Sequence, residues 1–203
     1  MTRLEGIILA GGRSERMGRD KALLPIGGVP LLRILAERMS AHCGRIWIAC
    51  GDETRIERYL AAVAGVESAE IRFAPDVVPG CGPMSGLHAV LTAMPENGGW
   101  ALALACDMPQ LSESLLQRMR MAAVAAEQAG RPAGAVHAPG EPMHALYHKR
   151  ALPVLQTQLE RGDYRMLRLL ERVDAVTVEP ETEEQRAAFR NLNTPGDLTS
   201  FHE

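Results

Sequence analysis

Residues 6–21 read Gly6-Ile7-Ile8-Leu9-Ala10-Gly11-Gly12-Arg13-Ser14-Glu15-Arg16-Met17-Gly18-Arg19-Asp20-Lys21, and this stretch decides the fold class. Its first five positions carry no polar side chain. Such a run cannot be half exposed, and it predicts a parallel strand covered on both faces. The strand stops abruptly at Gly11-Gly12 and opens into a loop with four cations, Arg13, Arg16, Arg19 and Lys21, in nine positions. In open α/β sheets, ligands bind at the carboxyl ends of the strands, where the strand order reverses.

Outward from this stretch the chain alternates strand and helix. Residues 30–41 place Leu32, Leu35, Ala36 and Met39 on one helical stripe, with Pro30 suited to the first turn. Residues 45–50 form a second strand. A helix follows with Ile56, Leu60 and Val63 on one face and a stop at Gly65. Residues 71–74 are a third strand, 85–94 a short helix and 100–105 a fourth strand of small residues. Ser112 caps a helix bearing Leu115, Met119, Ala122 and Ala126, with Gly130 just beyond its end. Residues 134–137 and 143–147 are short strands joined by the turn-rich 138–142, which predicts an antiparallel piece in the C-terminal half. Two helical segments then carry Leu152, Leu155 and Leu159, and Met166, Leu167 and Leu170. A strand at 173–178 and an acidic solvated loop at 179–184 complete the pattern. No repeat or break in composition interrupts it, so one α/β domain over residues 1–203 is expected, with a mostly parallel, doubly wound sheet.

Composition narrows the function. The chain has 203 residues, 46% apolar, and 22 Lys+Arg against 25 Asp+Glu, a formal charge of −3. It lacks the basic excess of a nucleic-acid binder. Cys43, Cys50, Cys81 and Cys106 contain no C-x-x-C pair, which argues against a compact zinc site and a disulfide scaffold. No stretch approaches the roughly 18 apolar residues of a membrane span, and the start of the chain does not read as an export signal. A soluble cytoplasmic protein without membrane or nucleic-acid partners is the expectation.

The loop after the first strand is suited to anions. Glycines let successive backbone N–H groups converge on phosphate oxygens, while Arg13, Arg16 and Lys21 neutralise a triphosphate. Two familiar phosphate motifs fail here. Five residues separate Gly12 from Gly18 where the Walker form has four. Gly80-Cys81-Gly82-Pro83-Met84-Ser85-Gly86 has three residues where the dinucleotide fingerprint has two. Asp107, just past the fourth strand, is a candidate magnesium ligand facing phosphates, or a cap of the following turn. Asp76 is either a turn residue or an acceptor for a base or hydroxyl. His144 and His148 share one face of a strand and read as surface or pocket residues rather than a zinc site. Cys50 and Cys106 read as packed thiols.

Leu9-Ala10-Gly11-Gly12 through Arg16-Met17-Gly18 to Asp20-Lys21 resembles the opening signature of the sugar-1-phosphate and related nucleotidyltransferases. Within them the chain is most similar to the molybdenum cofactor guanylyltransferases, the MobA family. The likeness continues through Pro75-Asp76, Gly82-Pro83-Met84-Ser85-Gly86, Cys106-Asp107-Met108-Pro109, Ala145-Leu146-Tyr147 and Asn191-Leu192-Asn193-Thr194-Pro195. The resemblance implies a three-layer Rossmann-like nucleotidyltransferase fold that joins GTP to molybdopterin with magnesium, releasing pyrophosphate. It implies an N-terminal half for GTP, a C-terminal half for molybdopterin, and transient contact with other cofactor-biosynthesis proteins or molybdoenzymes. Residue by residue, it puts the nucleotide on Leu9, Ala10 and Gly11, its phosphates near Lys21, further nucleotide contacts at Asp76, and magnesium and GTP at Asp107. The loop reading adds Gly12, Arg13 and Arg16. Asn191 and Asn193 match a segment on the pterin side, or cap the last helix. Where the family has a nucleotide-contacting asparagine, this sequence has Cys50-Gly51-Asp52; where it usually has Leu and Ala, this one has Met84 and Ser85. Gly11-Gly12 resembles the guanylyl branch, whereas cytidylyl relatives more often carry Leu-Ala-Ala-Gly, so a missing side chain here makes room for a purine. The alternatives are a cytidylyl or other small nucleotidyltransferase, and a cofactor carrier without catalysis.

Overall fold

The computed structural model describes residues 4–12 and 20–192. Arg13, Arg16 and Asn193 lie outside them. The elements in chain order are β1 (Leu4–Leu9), β2 (Pro25–Ile26), β3 (Val29–Pro30), α1 (Leu31–Ser40), β4 (Cys43–Gly51), α2 (Ile56–Ala62), β5 (Glu70–Pro75), α3 (Pro83–Ala93), β6 (Trp100–Ala105), α4 (Glu113–Gln128), β7 (Ala135–His137), β8 (His144–His148), α5 (Leu152–Glu160), α6 (Met166–Arg172), β9 (Val176–Thr177) and α7 (Glu183–Ala187). A seven-stranded sheet runs in the order β5-β4-β1-β6-β8-β7-β9. β1 pairs in parallel with β4 and β6, and β4 with β5, while β8 is antiparallel to both β6 and β7. The chain therefore steps outward from β1 to β4 and β5, then returns to β6 on the other side of β1. The strand order reverses between β1 and β6.

Alternate residues of the central strands feed two cores. Ile8, Ile46, Ile48, Leu102 and Leu104 pack with α1 and α4 on one face, and Ile7, Ala49, Ala101 and Ala103 pack with α3, α5 and α6 on the other. Gly86 brings α3 close to β4: a Cβ at Gly86 would lie 2.8 Å from the Ala49 Cβ. At the far end of α3 the buried Lys149 ammonium donates to the carbonyls of Leu91, Thr92 (3.3 Å) and Met94 (2.9 Å), satisfying acceptors the helix leaves open.

Several local expectations need correction. Pro30 precedes the first turn of α1, because it pairs with Pro25 across a tight hairpin. In α2 the buried side chain is Tyr59, whereas Leu60 is 56% exposed. Ala123, rather than Ala122 or Ala126, completes the buried stripe of α4, and Leu169, rather than Leu167, that of α6. The expected strand at 173–178 shrinks to Val176–Thr177, because Val173 terminates α6 and Asp174 takes a positive φ of 49°. The acidic stretch is not wholly loop: Thr182 caps α7, accepting from the Gln185 N–H, and Glu181 pairs with Arg118.

Candidate functional site

The parallel strands β5, β4, β1 and β6 lie side by side, so their carboxyl ends share one edge. That edge carries Pro75-Asp76, Gly51-Asp52, Gly11-Gly12 and Cys106-Asp107. Of the expected site residues, Leu9, Ala10, Gly11, Gly12, Lys21, Asp76 and Asp107 are thus brought together at the strand ends and the reversal. Lys21 Nζ donates to Asp107 Oδ2 at 3.2 Å, with both side chains partly shielded from solvent. The Asp107 carboxylate is thus directed toward Lys21, in the 3-10 turn that follows Asp20. The Leu192 N–H donates to the Asp107 carbonyl at 2.8 Å, which brings Asn191 next to this strand end. Asn191 does not cap α7, whose caps are Thr182 and Ala188.

Asp76 sits where β5 ends. Its N–H donates to the Gly51 carbonyl at 2.8 Å, and its Oδ1 is buried with no hydrogen-bond partner among the described residues. Burial pushes the carboxyl up to about 6, with the Arg55 charge pulling it back. An unpartnered buried acceptor is costly in the ligand-free protein and suits a ligand's N–H or O–H donor. Asp52 is committed differently: its carboxylate accepts from the Thr54 N–H at 2.8 Å, and hydrogen bonding from the Thr54 side chain, then from its backbone, holds it below the usual carboxylate range.

Gly11 and Gly51 touch backbone to backbone. A Cβ on Gly11 would lie 3.0 Å from the Gly51 Cα and N, while Gly51 itself has φ of 77°. The bare position 11 therefore permits the close approach of two strand ends.

The block opening α3 holds its own loop. Gly82 precedes the helix with φ of 65°, Pro83 starts it, and Ser85 Oγ accepts from the Cys81 N–H (3.1 Å) while donating to the Val78 carbonyl (2.7 Å). Alanine at position 85 could make neither bond. Ser85 is thus more than a size-conserving exchange.

A second polar cluster went unnoticed in the sequence. The Tyr59 hydroxyl lies 3.1 Å from the Ala10 carbonyl and 3.0 Å from each Asp20 carboxylate oxygen. Arg55 Nη1 donates to the Ala10 (3.3 Å) and Gly12 (3.4 Å) carbonyls and to the Tyr59 oxygen (3.4 Å). Asp20 also accepts from the Ala22 N–H, capping the single 3-10 turn that begins at Lys21. The only sequence signal was a tyrosine flanking an apolar helical stripe.

His144 does not lie on the open surface, and His148 is half-buried. His144 is buried edge-on to Phe189, and burial lowers it to about 4; His148 packs against Trp100 and accepts from the Arg150 N–H. Among the described residues no group of three His, Cys, Asp or Glu side chains converges. All four cysteines are buried free thiols; burial raises Cys50 to about 11 and pushes Cys106 up further, as expected of packing residues. No helix among the described residues is long and apolar enough to cross a membrane.

Comparison with known proteins agrees with this geometry. The profile of the MobA-like NTP transferase domain matches residues 6–177. A molybdenum cofactor guanylyltransferase of Vibrio atlanticus is 32% identical, with 98% of this chain and 96% of that protein covered. A probable molybdenum cofactor guanylyltransferase of Natronomonas pharaonis is also 32% identical, over 98% of this chain and 96% of its own. The crystal structure of molybdopterin-guanine dinucleotide biosynthesis protein A from Archaeoglobus fulgidus is similar at a TM-score of 0.74 and 26% identity, covering 97% of this chain and 96% of that one.

Proposed function

The chain belongs to the MobA-like NTP transferase domain family, and we propose that it transfers GMP from GTP to molybdopterin, forming the guanine dinucleotide cofactor. The terminal phosphate of the pterin attacks the α-phosphorus of GTP. A new P–O bond forms as the bond to the β-phosphate's bridging oxygen breaks, and pyrophosphate leaves with that electron pair. The nucleophile is already an anion, so the protein's work is alignment and charge compensation. Guanine as the base rests on the relatives named above as guanylyltransferases.

The observation that carries this reading is the Lys21–Asp107 pair at the strand-order reversal. An amine and a carboxylate that neutralise each other beside a glycine turn can part to meet a nucleotide and a cation. In this reading Lys21, with Arg16 and Arg13, takes the phosphates. The backbone of Leu9, Ala10, Gly11 and Gly12 lies along the nucleotide, and Asp76 accepts from it. Asn191 and Asn193 lie toward the pterin, so the N-terminal half holds GTP and the C-terminal half molybdopterin.

The donor set fits magnesium: a strand-end carboxylate, with no group of three His, Cys, Asp or Glu side chains converging among the described residues, suits an ion whose coordination substrate phosphates and water complete. Asp107 would hold the ion, which when bound offsets charge on the triphosphate and on the leaving pyrophosphate. The test is pyrophosphate release from purified protein given molybdopterin, magnesium and either GTP or CTP. Release with GTP supports the proposal. Preference for CTP would overturn guanylyl transfer, and no release with either would leave a carrier of the cofactor.

A further inference from the structure

We propose that Tyr59, acting with Arg55 and Asp20, is a positioning residue that fixes both ends of the nucleotide loop and thereby sets the Lys21–Asp107 contact and the direction of the Gly11 N–H. The ligand's identity rests on the guanylyl-transfer reading; the positioning itself does not.

Tyr59 is the buried side chain of α2, at 0% exposure, and a phenol so enclosed needs partners for its hydroxyl. The partners come from two segments ten residues apart, Ala10 and Asp20. One hydroxyl proton cannot serve both at once. Arg55 makes up the difference, donating to the Ala10 and Gly12 carbonyls and to the phenol oxygen. The phenol therefore stands as donor toward Asp20 or Ala10 and as acceptor from Arg55. Burial, with the nearby Asp20 charge, raises the phenol further and keeps that proton in place.

Two consequences follow for the site. In a trans peptide the carbonyl and the next N–H point in opposite directions, and no described peptide is cis. Holding the Ala10 carbonyl toward Tyr59 and Arg55 thus aims the Gly11 N–H away from them. At the other end, Asp20 binds Tyr59 and also caps the turn beginning at Lys21, so the residue before Lys21 is anchored from two sides. The bonds that define the cluster run to the Ala10 and Gly12 carbonyls and to Asp20. The cluster's action runs through the backbone.

The chain supplies a convenient test, because it contains only two lysines, Lys21 and Lys149. Lys149 is buried under the end of α3 and serves as an internal reference. Trace acylation with acetic anhydride, read by peptide mass spectrometry without nucleotide, reports how firmly Lys21 is held. Tyr59→Phe preserves the ring, and the ratio of Lys21 to Lys149 labelling is expected to rise several-fold, with Leu60→Ala, on the exposed face of α2, unchanged. Asp20→Asn repeats the test should Tyr59→Phe fail to fold. GTP titration by calorimetry adds the ligand: Tyr59→Phe is expected to weaken binding about tenfold, about 1.4 kcal/mol, and to lose most of that effect in a Lys21→Ala background. A purely structural role would keep the factor in both backgrounds. Equal labelling of wild type and both variants, or equal GTP affinity in a wild type and Tyr59→Phe that both bind, overturns the proposal. A wild type that binds no nucleotide while labelling still separates the variants would sink the guanylyl-transfer reading and leave the positioning cluster standing.

Discussion

Replacing Asp76 by Asn separates what one carboxyl does to stability from what it does to binding. The carboxyl is half-buried, its Oδ1 has no partner among the described residues, and its value rises from 3.8 to about 6. Between those values the folded chain holds a proton that the unfolded chain has released, so stability must fall as pH rises. The stabilising contribution is complete below about pH 3.8 and gone above about pH 6. The full displacement corresponds to about 3 kcal/mol at about 1.36 kcal/mol per pK unit. Solvent reaching a half-buried group reduces the expected change to about 1–2 kcal/mol. Asn cannot ionise and lacks this dependence. Urea unfolding at about pH 4 and pH 7.5 should therefore show the variant gaining about 1–2 kcal/mol on the wild type between the two conditions, while its GTP affinity at pH 7.5 falls. A stability difference that stays constant across this range would refute the argument. It would mean that the Asp76 carboxyl is solvated in the folded protein.

Two further changes probe the same edge. Asp107→Ala should reduce magnesium-dependent turnover by about a hundredfold or more, as losing a group that stabilises the reacting charge does. It removes a partly exposed ion pair worth about 1 kcal/mol or less, so its melting temperature should stay close to the wild type's; wild-type pyrophosphate release would take Asp107 out of the mechanism. Gly11→Ala forces a Cβ to 3.0 Å from two Gly51 backbone atoms and should cost about 1–3 kcal/mol in urea unfolding. An unchanged ratio of GTP to CTP affinity in that variant would favour strand packing as the role of position 11, and a switch toward CTP would make it a determinant of the base.

The fold was legible wherever a local pattern carried the information. Uninterrupted apolar runs such as residues 6–10 and 100–105 can be satisfied only in strands covered on both faces, and their polar ends then had to share one edge. Asp76, Asp107 and Lys21 were recognisable on those grounds because each follows such a run or the loop leaving one. Failures came where a distant partner overruled the local pattern. Leu60 looked like core by spacing, yet Tyr59 is buried because Ala10, Asp20 and Arg55 satisfy its hydroxyl, and none of those partners follows from a helical stripe. The run at 173–178 looked like a strand, but Val173 ends α6 against Gly134, where a Cβ would meet it at 2.7 Å.

Position 11 shows the same limit from the other side. The glycine was visible in the sequence, where its missing side chain reads as room for a purine. What the sequence could not show is which neighbour crowds that position. The backbone of Gly51 does so, in a strand 40 residues away, and that strand ends in glycine for the same reason. The two glycines are thus one feature, a close approach of the chain just past β1 to the end of β4 at the site edge. An exchange at either position acts on the distance between the strand ends.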